Sequence, residues 1–135
     1  MLAGVEAARI APLTLAYIGD SVFDLYVRTT LVLDKAGNTG RLHNKSSGVV
    51  NARAQAVFAH SIEDSLSEEE SDIFRRGRNA KSATVPKNMS VADYRYATAV
   101  EALVGYLYLT GQTERIGALL GRLAVNGRED DETEQ

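Results

Sequence analysis

Three acidic residues stand in stretches that are otherwise apolar. Asp20 and Asp24 lie between Leu13 and Leu33, among Leu15, Ile18, Val22, Phe23, Leu25, Tyr26, Val27 and Leu31. Glu101 is the only charged residue between Tyr96 and Leu109. A carboxylate in an apolar setting is costly unless it finds a base, takes up a proton or binds a cation. If the two segments pack together, Asp20 and Glu101 share one spot, and a divalent ion between them relieves the like charges. Oxygen-only ligands favour magnesium or manganese over zinc. The other reading pairs Asp20 with an arginine such as Arg95 and lets Glu101 reach solvent at a helix edge. The pattern admits both. Asp24, one helical turn from Asp20, is expected to cap a basic partner or sit behind the site rather than act as a ligand.

A second group of residues is basic. Arg75, Arg76, Arg78 and Lys81 surround Asn79, and Lys87 follows in the next segment. Such a run is either a solvated face or a set of phosphate contacts. His43 and Lys45 join these candidates, while His60 has no motif around it.

The elements that position these residues are helical. Pro12 suits the first turn of a helix reaching about Val32, followed by a loop from Asp34 to Gly40 with two glycines. A helical region resumes near Arg41 and runs to about Ile62, with a break near Ser46 to Gly48. Ser67 and Glu70 form a capping-box pattern for a helix from Glu68 to about Arg76. Asn79 to Met89, with Pro86 and no periodicity, reads as a loop. Ser90, with Asp93, caps a helix to about Leu109, which Gly111 stops. Thr113 to about Leu123 forms a last amphipathic helix. No alternating pattern is long enough for a sheet, so the fold class is all-α.

The 135 residues, 44% of them hydrophobic, suffice for one domain with a real core. That leaves no room for an appended binding module of normal size. Cysteine is absent, which excludes disulfides, thiolate metal sites and cysteine nucleophiles and fits a reducing compartment. No signal peptide is expected, because Met1 to Ala11 holds no long apolar run behind a basic end, and no membrane span, because Asp20, Asp24 and Glu101 interrupt the later apolar runs. The net charge of −3 is misleading for a nucleic-acid binder. The segment from Arg128 to Gln135 holds five acids and one base, and without it 14 bases face 13 acids. Residues 1–127 are expected to form the domain, and 128–135 an acidic, disordered tail.

Tyr17-Ile18-Gly19-Asp20-Ser21-Val22 resembles the signature helix of the ribonuclease III catalytic domain, in which a Gly-Asp step presents a metal-binding aspartate. Glu101-Ala102-Leu103-Val104-Gly105 resembles that family's second acidic motif. Leu15 to Thr30, Leu42 to Ala56, and Arg75 to Lys81 followed by Asp93 to Gly111 place the similarity with the short Mini-ribonuclease III branch. The resemblance implies a helical bundle that forms a homodimer, with double-stranded RNA held in a valley and each subunit cutting one strand. It implies Asp20 and Glu101 as catalytic ligands of Mg2+, with Mn2+ able to substitute, and products with 5′-phosphate and 3′-hydroxyl ends. It further implies a cytoplasmic role in maturing the large-subunit (23S) ribosomal RNA precursor, and RNA contacts through Arg75, Arg76, Arg78, Asn79, Lys81, Lys87, His43 and Lys45. Two positions depart from the wider family's four acids: Ala16, four residues before Asp20, and Thr98, three before Glu101. Thr98 becomes a candidate for orienting water at the metal. The departures also leave a second reading, a catalytically silent module that binds structured RNA.

Overall fold

The computed structural model describes residues 1–33, 40, 52–81 and 84–133, with 52 and 124–133 as backbone only. Among the described residues six α-helices occur: α1 (Gly4–Ala8), α2 (Pro12–Leu33), α3 (Ala52–Ile62), α4 (Glu68–Asn79), α5 (Val91–Leu109) and α6 (Thr113–Thr133). A short 3-10 turn, Glu63–Ser65, links α3 to α4. Among the described residues there is no strand, and the all-α expectation holds. None of the helices described is long and apolar enough to cross a membrane.

The caps fall where the side chains place them. Ser67 accepts from the Glu70 amide while the Glu70 carboxylate accepts from the Ser67 amide, closing a capping box on α4. Ser90 accepts from the Asp93 amide to start α5. Gly111, at φ +75°, turns the chain out of α5. Two helices outrun their expected ends. Helix α4 continues past Arg76 to Asn79 because Gly77 is an inward-facing contact rather than a stop. A Cβ there would lie 2.9 Å from the Ala102 Cβ, so its absence lets α4 approach α5. Helix α6 continues past Leu123 to Thr133, through a stretch without proline. The expected loop from Asp34 to Gly40 falls almost wholly outside the described residues, as does the first part of the expected helix from Arg41.

Helix α5 is the centre of the bundle. Its residues from Ala97 to Val100 and from Ala102 to Leu107 are buried on every face, and α2, α3 and α4 pack around it. Helix α2, although apolar on nearly every face in sequence, is one-sided. It buries Leu15, Ala16, Gly19, Val22, Phe23 and Val27 and leaves Leu13, Tyr17, Leu25 and Val32 exposed. Phe23 meets Phe58 of α3 at 6.2 Å between ring centres. Arg115 fastens α6 by pairing with the buried Glu70 at 2.8 Å and donating to the Ser65 carbonyl.

Candidate active site

Helices α2 and α5 cross at glycines. A Cβ at Gly19 would overlap the Glu101 carbonyl oxygen, and one at Gly105 would overlap the Leu15 carbonyl oxygen. Only hydrogen at these positions permits the backbones to touch. Asp20 follows Gly19 directly, so the crossing that brings Gly19 onto Glu101 also brings the two acids together.

Asp20 and Glu101 line one cleft of about 570 Å3, with Ala16, Tyr17, Gln55 and Thr98 among the other walls. The acids differ in setting. Asp20 is exposed at the mouth, which corrects the expectation of a buried aspartate, whereas Glu101 is half-buried. Burial, then the nearby charge of Asp20, raises the Glu101 carboxyl to about 7, against the opposing pull of a hydrogen bond from Gln55. Among the described residues neither acid is in an ion pair. Arg95 lines a separate groove, so the reading that pairs it with Asp20 fails. Asp24 is capped by Arg28, whose Nε donates to both carboxylate oxygens at 2.9 and 3.0 Å.

The donor set suits a hard divalent cation. Among the described residues the cleft offers two carboxylates, an amide and hydroxyls, with no imidazole or thiolate on its wall. No cluster of three or more acids, histidines or cysteines occurs among the described residues. Two carboxylates match the habit of magnesium, which takes one or two and keeps its other positions for water and substrate phosphate. Thr98 lines the same cleft, and its hydroxyl donates to the Tyr94 carbonyl at 2.9 Å, leaving the oxygen as an acceptor.

The basic candidates divide. Asn79 and Lys81 line a groove of about 380 Å3 with Arg95 and Tyr94. Tyr94 also walls the acidic cleft, so the two depressions adjoin. Arg75 pairs with Asp72 at 2.6 Å and borders a different, larger groove beside α1. Arg76 donates to the Ala8 carbonyl at 2.7 Å and ties α4 to α1. Arg78 reaches Glu63 at 3.7 Å. Lys87 is exposed in the loop before α5, and His43 and Lys45 lie outside the described residues.

Two residues of this region carry no sequence motif. Arg95 hides in the first turns of α5. Gln55 sits on the buried stripe of α3 with Phe58, Ala59 and Ile62. A polar side chain at the head of an i, i+3, i+4, i+7 apolar stripe is the signal that would have exposed it.

Comparison with known proteins places these features in a family. The Ribonuclease III domain family matches residues 13–112. The chain is 52% identical over 111 residues to the Mini-ribonuclease 3 of Thermoanaerobacter sp. (strain X514), covering 82% of this chain and 78% of that one. It is 46% identical over 114 residues to the Mini-ribonuclease 3 of Staphylococcus aureus (strain NCTC 8325 / PS 47), covering 83% and 85%. A crystal structure of a Fusobacterium nucleatum protein superposes with a TM-score of 0.78 at 31% identity, covering 89% of this chain and 95% of that one.

Proposed function

The chain belongs to the ribonuclease III domain family, and on that premise we propose that it is a divalent-metal-dependent endonuclease that cuts double-stranded RNA as a homodimer. One observation carries the reading: Asp20 and Glu101, from two helices, line the same cleft, and among the described residues no cationic side chain lines it with them. Family membership and the likeness to the Mini-ribonuclease 3 relatives support the nuclease chemistry.

In this reading Asp20 and Glu101 would hold Mg2+, or Mn2+ in its place. The cation supplies Lewis acidity at the scissile phosphate and lowers the pKa of the attacking water. Thr98 offers its oxygen as an acceptor to orient that water. Asn79, Lys81 and Arg95 hold the duplex beside the cleft through phosphates and 2′-hydroxyls, with Lys87, His43, Lys45 and Arg78 extending the contact. Arg75 and Arg76 have protein partners of their own and are assigned a smaller share. The exposed apolar edge of α2, with Leu13, Tyr17 and Leu25, suits a second copy of the chain. The catalytic unit spans residues 1–127, with the acidic segment 128–135 outside it. Following the resemblance carried by the sequence motifs, the substrate is the precursor of large-subunit (23S) ribosomal RNA, processed in the cytoplasm.

The test is cleavage of duplex RNA with Mg2+. The unmodified chain should cut, while Asp20→Asn and Glu101→Gln should bind the duplex and cut at least roughly 10²–10³-fold more slowly. An unmodified chain that binds duplex RNA and never cuts it would establish the silent module instead.

A further inference from the structure

Gln55 is 1% exposed, yet it is an amide. It lies on the inward stripe of α3, where Phe58, Ala59 and Ile62 are its buried companions. An apolar side chain would fill that position without the cost of desolvating an amide. Its side chain lines the cleft that holds Asp20 and Glu101, where its amide lies near enough to the Glu101 carboxylate to favour the charged form. The three polar groups come from three helices: Asp20 from α2, Gln55 from α3 and Glu101 from α5.

A glutamate has three side-chain torsions, and nothing on α5 itself fixes where its carboxylate points. We propose that Gln55 is a positioning residue of the metal centre: from a third helix it holds the Glu101 carboxylate toward Asp20, so that both reach one cation. The inference rests on the metal-centre reading above. Residues that hydrogen-bond a ligand in this way change metal affinity by about 10- to 100-fold when removed. The arrangement also joins α3 to the site through Gln55.

The experiment measures Mn2+ binding to the full chain by electron paramagnetic resonance, alongside thermal unfolding followed by circular dichroism. Gln55→Leu keeps nearly the same volume and loses the hydrogen bond. It should fold, bind duplex RNA without metal as the unmodified chain does, and bind Mn2+ about 10- to 100-fold more weakly. Cleavage by this variant should return as Mg2+ is raised. A purely structural glutamine would lower the melting temperature and leave Mn2+ affinity untouched, and that result overturns the inference. If the leucine variant does not fold, the unmodified chain decides the matter. The Gln55 side-chain amide resonance should shift in a Mg2+ titration with the same apparent constant as the backbone amides of Asp20 and Glu101, and a stationary resonance overturns the inference. An unmodified chain that binds no Mn2+, or an Asp20→Asn chain that binds it equally well, overturns the metal-centre reading itself, a failure distinct from that of Gln55.

Discussion

Gly19 of α2 lies directly against the backbone of Glu101 on α5. A methyl at Gly19 would overlap the Glu101 carbonyl oxygen and stand 2.8 Å from the Gly105 nitrogen. Both obstacles are main-chain atoms of the central helix, which no rotamer change can move aside. The distance between Asp20 and Glu101 is therefore set by a backbone crossing rather than by the two side chains alone.

Gly19→Ala should force α2 away from α5. Overpacking a core costs about 1–3 kcal/mol, and backbone against backbone belongs at the upper end. Chemical denaturation should report that loss. Mn2+ affinity should fall with it, because Asp20 moves with the helix. An alanine variant of native stability and native affinity would show that the crossing has slack.

Glu101 gives a pH dependence whose sign follows from its raised carboxyl, at about 7 against 4.5 in the unfolded chain. The folded state holds this proton more tightly, so its contribution to stability is full below pH 4.5 and is lost as pH rises through 7. Metal-free protein should thus be less stable at pH 8 than at pH 6, and Glu101→Gln should regain on the order of 2 kcal/mol at pH 8. Urea titrations at the two pH values check this. Mg2+ competes with that proton, so cation affinity should climb between pH 6 and pH 8.

Arg115 and Glu70 should matter for stability and not for cleavage. Burial pushes the Glu70 carboxyl up, but the Arg115 hydrogen bonds, the Ser67 amide and the Arg115 charge together bring it below its ordinary value. A lowered carboxyl adds stability above pH 4.5 and loses it as the pH falls through the folded-state value. Arg115→Ala should cost about 2 kcal/mol at pH 7, less than for a fully enclosed pair because the arginine is partly exposed. At pH 3 the cost should shrink.

Lys81 and Arg95 flank the groove that adjoins the acidic cleft. Replacing both with alanine should weaken duplex RNA binding and lower the slope of log affinity against log salt by about 2. Arg76→Ala should instead lower the melting temperature, since its guanidinium holds the Ala8 carbonyl, and leave the salt slope unchanged. A salt slope that drops for Arg76 and not for the pair would reverse the assignment of the two faces.

Much of the fold was legible in the sequence because its signals are local. The serines at 67 and 90 start helices through hydrogen bonds three residues away, and Gly111 ends one by its own torsion. The role of Gly77 is not local: only its neighbour on α5 shows it to be a contact between helices. Asp20 and Glu101 stand out in the sequence because each carries its charge within an apolar run.

What the sequence determined by itself was the set of helices and the two acids that stand out within them, since periodicity, capping and composition act over a few residues. The tertiary structure decided what depends on distance between helices. It fixed which flank of α2 meets α5, which acid is buried, which arginines are already occupied, and that Gln55 reaches Glu101 from α3. The helix crossing and the reach of Gln55 are properties of close packing between residues far apart in the chain, where a single methyl at Gly19 decides the approach. A one-dimensional pattern of residue types does not encode that approach.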